Sequence, residues 1–142
     1  GVNASSAIKT TELDRVVLQG VYGHGIARYM NDISFSDYGM DAAQDASGNL
    51  KAVPAFGGFA YYDHWWTKYL SSSVGYGYVW VDNTDGQAGT AFKNSDYISG
   101  NLIWYPTNKV KIGCELQYGK RKDKNDMNAD NIRFQTTFQY KF

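Results

Sequence analysis

Two stretches near the end of the sequence place charged and amide side chains at every second position. After Lys109, one parity carries Lys111, Glu115 and Gln117; after Asn131, one parity carries Arg133, Gln135, Gln139 and Lys141. A spacing of two puts each set on one face of an extended strand. Neither set holds a nucleophile beside a base, and no Ser/His/Asp order or paired-carboxylate pattern lies elsewhere, so an enzyme is not expected. What such rows can do is touch a polar solute. Rings of Lys and Arg around water attract anions. Glu115 could equally pair with Arg133 or Lys111 and stiffen a wall, and the sequence leaves both open. The candidate solute-contacting residues are Arg28, Lys111, Glu115, Gln117, Arg133, Gln135 and Lys141. Arg28 precedes the longest polar stretch and reads either as a solvated loop residue or as a group near a constriction.

Other constellations carry less chemistry. Asp32, Asp37, Asp41 and Asp45 offer hard oxygen ligands, but their spacing of four or five is not that of a calcium-binding loop. Solvated charge is the better reading, and no metal or cofactor is expected. Cys114 is alone, which excludes an internal disulfide and a cysteine-cluster metal site. His24 and His64 form no motif with it. Gly23-x-Gly25 lacks the βαβ context of a dinucleotide site. With 14 basic and 14 acidic residues the chain has no net charge, so no global field favours nucleic acid. Lys120–Lys124 reads as a wet loop tip, with contact to anionic lipopolysaccharide as the functional alternative.

The elements that position these residues are strands. The 23 aromatic residues (12 Tyr, 7 Phe, 4 Trp) and 15 Gly against 2 Pro favour strands and tight turns over helices. Period-two alternation is clear over Tyr69–Val81, Asn94–Trp104, Lys109–Gly119 and Asn131–Phe142. It weakens over Lys51–Tyr62 and Leu13–Ala27, and Val2–Lys9 is a further candidate. The segments between them alternate in length. Thr10–Glu12, Tyr62–Thr67 and Tyr105–Asn108 are short; Arg28–Asn49, Asp82–Lys93 and Lys120–Asp130 are long and polar. The expected fold is all-β, an antiparallel up-and-down meander of about seven or eight strands. Residues 1–142 form a single β-barrel domain or barrel segment, part or a reduced form of a transmembrane β-barrel.

Alternation alone does not say which face is inside. Ser71, Ser73, Gly75 and Gly77 leave one face of a whole strand without charge, unlike a soluble exterior. Aromatics gather at strand ends: Tyr62, Trp65, Trp66 and Tyr69 at one turn, Trp104 and Tyr105 at another, Tyr140 and Phe142 at the last. Such rings favour a membrane interface, because one edge is wet and the body apolar. Ordinary core aromatics are the competing explanation. No run of about 18 apolar residues exists, so spanning by a helix is excluded while spanning by strands is not.

The stretches Gly23–Tyr29, Asn101–Pro106, Gly113–Arg121 and Asn131–Gln135 with Tyr140-Lys141-Phe142 resemble the C-terminal portion of the DcaP-like outer-membrane porin family. The resemblance covers most of the chain from about Leu13. It implies a trimeric, roughly sixteen-stranded passive channel for small, often anionic, hydrophilic solutes. It also implies a bacterial outer-membrane location, with lipid and lipopolysaccharide as surroundings. A terminal strand closing on Phe142 resembles the signature read by the barrel-assembly machinery. The chain is far shorter than such a barrel. Alternatives are a small eight-stranded outer-membrane barrel for structure or adhesion, and a soluble lipocalin-like barrel binding an apolar ligand.

Overall fold

The structure, a computed structural model, describes residues 1–30, 33 and 41–142. In chain order it contains β1 (Val2–Lys9), β2 (Asp14–His24), a short 3-10 turn (Ala27–Tyr29), β3 (Ala42–Gln44), β4 (Leu50–Ala52), β5 (Pro54–Thr67), β6 (Leu70–Val81), β7 (Phe92–Thr107), β8 (Val110–Asp123) and β9 (Asn128–Tyr140). Seven strands form one antiparallel sheet in the order β1-β2-β5-β6-β7-β8-β9, and β3 and β4 pair separately as a hairpin inside the long connection. This is the expected meander, with Val2–Lys9 as its first strand.

Both prolines stand where a missing N–H is harmless. Pro54 is the first residue of β5, and Pro106 lies in the bulge between Trp104 and Thr107 where the ladder with β8 lapses. Several boundaries differ from the sequence expectation. Tyr62–Thr67 is strand, so the turn is Lys68–Tyr69. Tyr105–Thr107 extends β7, leaving Asn108–Lys109 as the turn. The charged stretch 120–130 is mostly ladder: Lys120 faces Asp130, Arg121 faces Ala129 and Lys122 faces Asn128, so the loop is only residues 124–127. Charge had suggested solvent, but an edge pair of strands tolerates alternating charge on both faces. The long polar segment 28–49 also holds structure, most of the 3-10 turn and the first strand of the hairpin, which have too few residues to show a period.

Pairing register defines the two faces. Val16, Tyr62, Val74, Gly100, Leu116 and Phe134 align on one face; Arg15, Asp63, Ser73, Asn101, Glu115 and Gln135 align on the other. The apolar face is the open one: Leu116 is 55%, Phe134 65% and Phe138 71% exposed. Their polar neighbours Glu115 and Gln135 are half-buried. A soluble barrel would reverse that order.

The buried apolar cluster among the described residues sits on the polar face, near the long connections. Ala27, Met30, Ile33, Ala43 and Val53 from the connection pack on Ala55, Val79, Val81 and Phe92 of the wall. The connection after β2 therefore folds across the face that carries Arg15 and Glu115. It is tied down by Gly25 N–H to Val53 O and Val53 N–H to Asp41 O, each 2.9 Å.

Candidate functional site

The polar face is built by the alternation of β5 to β9, and hydrogen bonds run across it from strand to strand. Arg15 grips Asp63 through Nε (3.0 Å) and Nη2 (2.7 Å). The Ser73 hydroxyl donates to the same carboxylate at 2.7 Å, and Ser73 N–H donates to Asn101 Oδ1 at 3.0 Å. On the last two strands Gln135 Nε2 donates to Glu115 Oε1 at 2.9 Å, and Arg133 donates to Gln135 Oε1. The direct Glu115–Arg133 ion pair considered from sequence is replaced by this amide relay. Each of these groups thus keeps a partner on the wall.

Two aromatic rings fill the space left by glycines on this face. Tyr61 lies over Gly75, where a Cβ would overlap its ring, and its hydroxyl meets Ser99 Oγ at 2.9 Å. Tyr97 covers Gly77 in the same way. The uncharged strand Ser71–Gly77 is therefore a seat for rings from both neighbours.

Two cavities open on the polar face. One, of about 760 Å³, is lined by Phe92, Tyr97, Gln117, Arg121, Asn131 and Arg133, among others. The other, of about 220 Å³, is lined by Asn101, Ile103, Lys111, Glu115, Gln135 and Thr137, among others. Five candidates are thus brought together: Gln117 with Arg133, and Lys111 with Glu115 and Gln135. The remaining two stand apart from both linings. Lys141 follows β9, with its N–H on Lys109 O at 2.8 Å. Arg28 lies on the inward-folded connection, where its Nε and backbone N–H hold Asp41. Burial opposes the charged Asp41, but the Arg28 donors outweigh it and lower the Asp41 pKa.

The sequence reading missed Arg15, Asp63 and Arg121. Arg121 was lost because β8 was ended early, although Gly119, Arg121 and Asp123 continue its period. It bonds Asp123 through Nε at 2.8 Å and lies 5.7 Å from the Phe92 ring centroid. Asp63 was legible as the continuation of Gly57, Phe59 and Tyr61 on β5.

Of the four aspartates of the long connection, the two that the structure describes have separate partners. Asp32 and Asp37 lie outside the described residues. Asp41 serves Arg28. Asp45 closes a turn, accepting from Ser47 N–H and Asn49 N–H at 2.9 Å each, and pairs with Lys51 at 3.0 Å. The Lys51 ammonium, with these backbone donors, lowers the Asp45 pKa, and Asp45 raises that of Lys51.

The aromatics divide between the faces. Tyr62, Trp66, Trp104 and Tyr140 are on the apolar side and exposed, as is the terminal Phe142. Tyr62 OH donates to Asp14 at 2.6 Å, and Trp66 Nε1 donates to Ser72 Oγ at 2.9 Å. Tyr69 lies in the turn under Lys68, whose Nζ is 4.8 Å from its ring centroid. Trp65 and Tyr105, expected at the membrane interface, belong instead to the polar face, where their rings stack at 5.4 Å. The extension of β5 through Trp65 fixes that parity.

No family model and no curated protein matches the chain. Among solved structures, the outer-membrane channel DcaP of Acinetobacter baumannii superposes with a TM-score of 0.81 at 18% sequence identity, covering 99% of this chain. The chain spans 40% of that structure's length. In fold, the chain is therefore similar to less than half of an outer-membrane channel wall.

Proposed function

We propose that this chain is a wall segment of a passive diffusion channel in the bacterial outer membrane, and not an enzyme. The carrying observation is the inverted burial of β8. Leu116 faces outward and open, beside Phe134 and Phe138 of β9, while Glu115 and Gln117, with Gln135 of β9, are half-buried on the polar side. Hydrocarbon accepts the first set, and enclosed water the second. The likeness in fold to DcaP supports the same reading.

The edges of β1 and β9 are unpaired in this sheet. In hydrocarbon each orphaned backbone group costs several kcal/mol, so the wall closes by pairing with further strands. Small hydrophilic solutes pass along the polar face, with anions preferred because Lys111, Arg121 and Arg133 project there. The assembled form is a trimer in contact with lipid and lipopolysaccharide, and the strand leading to Phe142 is what the barrel-assembly machinery reads.

Planar-bilayer recording of the protein carrying this segment tests the reading. Stepwise conductance with a reversal potential favouring anions is expected in a salt gradient. Replacing Lys111 and Arg133 together by Glu should shift that potential toward cations. Absence of steps overturns the channel; steps with unchanged selectivity remove these side chains from its lumen.

A further inference from the structure

Among the described residues, the β3–β4 hairpin and the β6–β7 and β8–β9 connections are joined to one another, and Lys124 stands at the junction. Its Nζ donates to three backbone carbonyls of the β6–β7 connection: Thr84 O at 2.8 Å, Asp85 O at 3.0 Å and Gln87 O at 2.7 Å. An ammonium has three donors, so all are used. The adjoining backbone joins the same loop, with Lys124 N–H on Ala91 O and Asn125 N–H on Gly89 O, each 2.8 Å. Lys124 is thus a half-buried internal brace and not the wet loop tip that its charge run suggests.

The braced loop bears in turn on the β3–β4 hairpin. Thr84 Oγ1 donates to Gln44 O at 2.6 Å. Gly86 presses so closely on the hairpin turn that a Cβ would stand 2.5 Å from Gln44 O and 2.7 Å from Asp45 O. The hairpin's Ala43 belongs to the buried cluster with Val79, Val81 and Phe92 on the polar face. A chain of contacts therefore runs from Lys124 through residues 84–87 to a hairpin seated on the wall.

We infer that Lys124 is a positioning residue that clamps the β6–β7 connection, and through it the β3–β4 hairpin, so that the loop side of the channel is a fixed narrowing. This rests on the channel reading for its consequence in conduction, but not for the clamp itself. Hydrogen bonds from a charged donor are among the stronger ones, so removing three at once should open the contact measurably.

Amide hydrogen exchange on the intact protein in detergent micelles tests the clamp without any current. In Lys124→Ala, exchange over residues 42–52 and 82–91 should accelerate about tenfold or more, while residues 111–117 of β8 stay as in the wild type. Lys109→Ala, in a turn at the other end of the sheet, should change neither segment. Gly86→Val should loosen the hairpin with Lys124 intact, and it covers the case in which Lys124→Ala does not fold. Lys124→Arg, which keeps charge and donors, should restore much of the protection. Unchanged exchange over 42–52 in a folded Lys124→Ala overturns the clamp; where that variant does not fold, unchanged exchange over 42–52 in Gly86→Val overturns it. In bilayers, Lys124→Ala should add open-channel current noise. A wild-type protein that conducts nothing defeats the channel reading and leaves the exchange result standing.

Discussion

The β8–β9 half of the sheet and the β5–β6 half use the same alternation to different ends. On β8 and β9 the polar side is open enough to leave cavities among Gln117, Arg133 and Glu115, and the apolar side is fully presented. On β5 and β6 the side that continues Asp63 and Ser73 turns apolar at Ala55, Val79 and Val81, and a folded connection covers it. Parity alone assigns a residue to a face. Whether that face is wet depends on what a distant segment of chain lays over it. One wall thus carries two environments on its polar side, an open one flanked by cations and a packed one under the hairpin.

The largest expected effect breaks the assignment of the opposite side. Leu116→Arg puts a charge among Val74, Gly100 and Phe134, and at the bilayer midplane it should destabilise the folded protein by about 2–4 kcal/mol. Urea titration in lipid vesicles reads this, and a variant as stable as wild type would place that face in water. A smaller effect sharpens the packed side. Tyr61→Ala uncovers Gly75 and leaves Ser99 without its 2.9 Å partner, which should cost about 2 kcal/mol in the same titration. A loss no greater than that of an ordinary surface substitution would make the ring decorative.

The smallest effect concerns the exposed clasp at residues 122–126. Lys93 and Lys122 hold the Asp126 carboxyl at about 2, against an ordinary 3.8. A depressed carboxylate contributes its full stabilisation above its unfolded value. That contribution is lost as pH falls from 3.8 through 2. Amide protection at residues 124–127, taken relative to the intrinsic exchange rate at each pH, should fall across that window in wild type and stay flat in Asp126→Asn. A loss of protection centred near neutral pH would assign the effect to another group.

Much of the wall was legible in the sequence, because two signals agreed there. Residues 109–119 and 131–142 alternate strictly, and their alternation is the register later seen between Glu115 and Gln135. That period put Lys111, Glu115 and Gln135 on one face, and the register between β8 and β9 brings them into one cavity. Arg15 lay inside the expected strand Leu13–Ala27, but its glycines blur the period that would assign it a face; Asp63 and Arg121 escaped because their strands were ended early, at Tyr62 and at a charge run. Charge runs mislead when both strands of an edge pair are charged, as Lys120 opposite Asp130 illustrates. The hairpin at 42–52 left no period to read, since three residues in each strand are too few. The role of Lys124 depends on carbonyls about forty positions away, which no local pattern encodes.

Cys114 lies on the apolar side of β8, between Ile112 and Leu116, and it is exposed. It is also the chain's lone cysteine. Within these residues a thiol-directed fluorophore or spin label therefore attaches at one known point. Quenchers held at graded distances from the headgroups would then gauge how deep the middle of this strand sits.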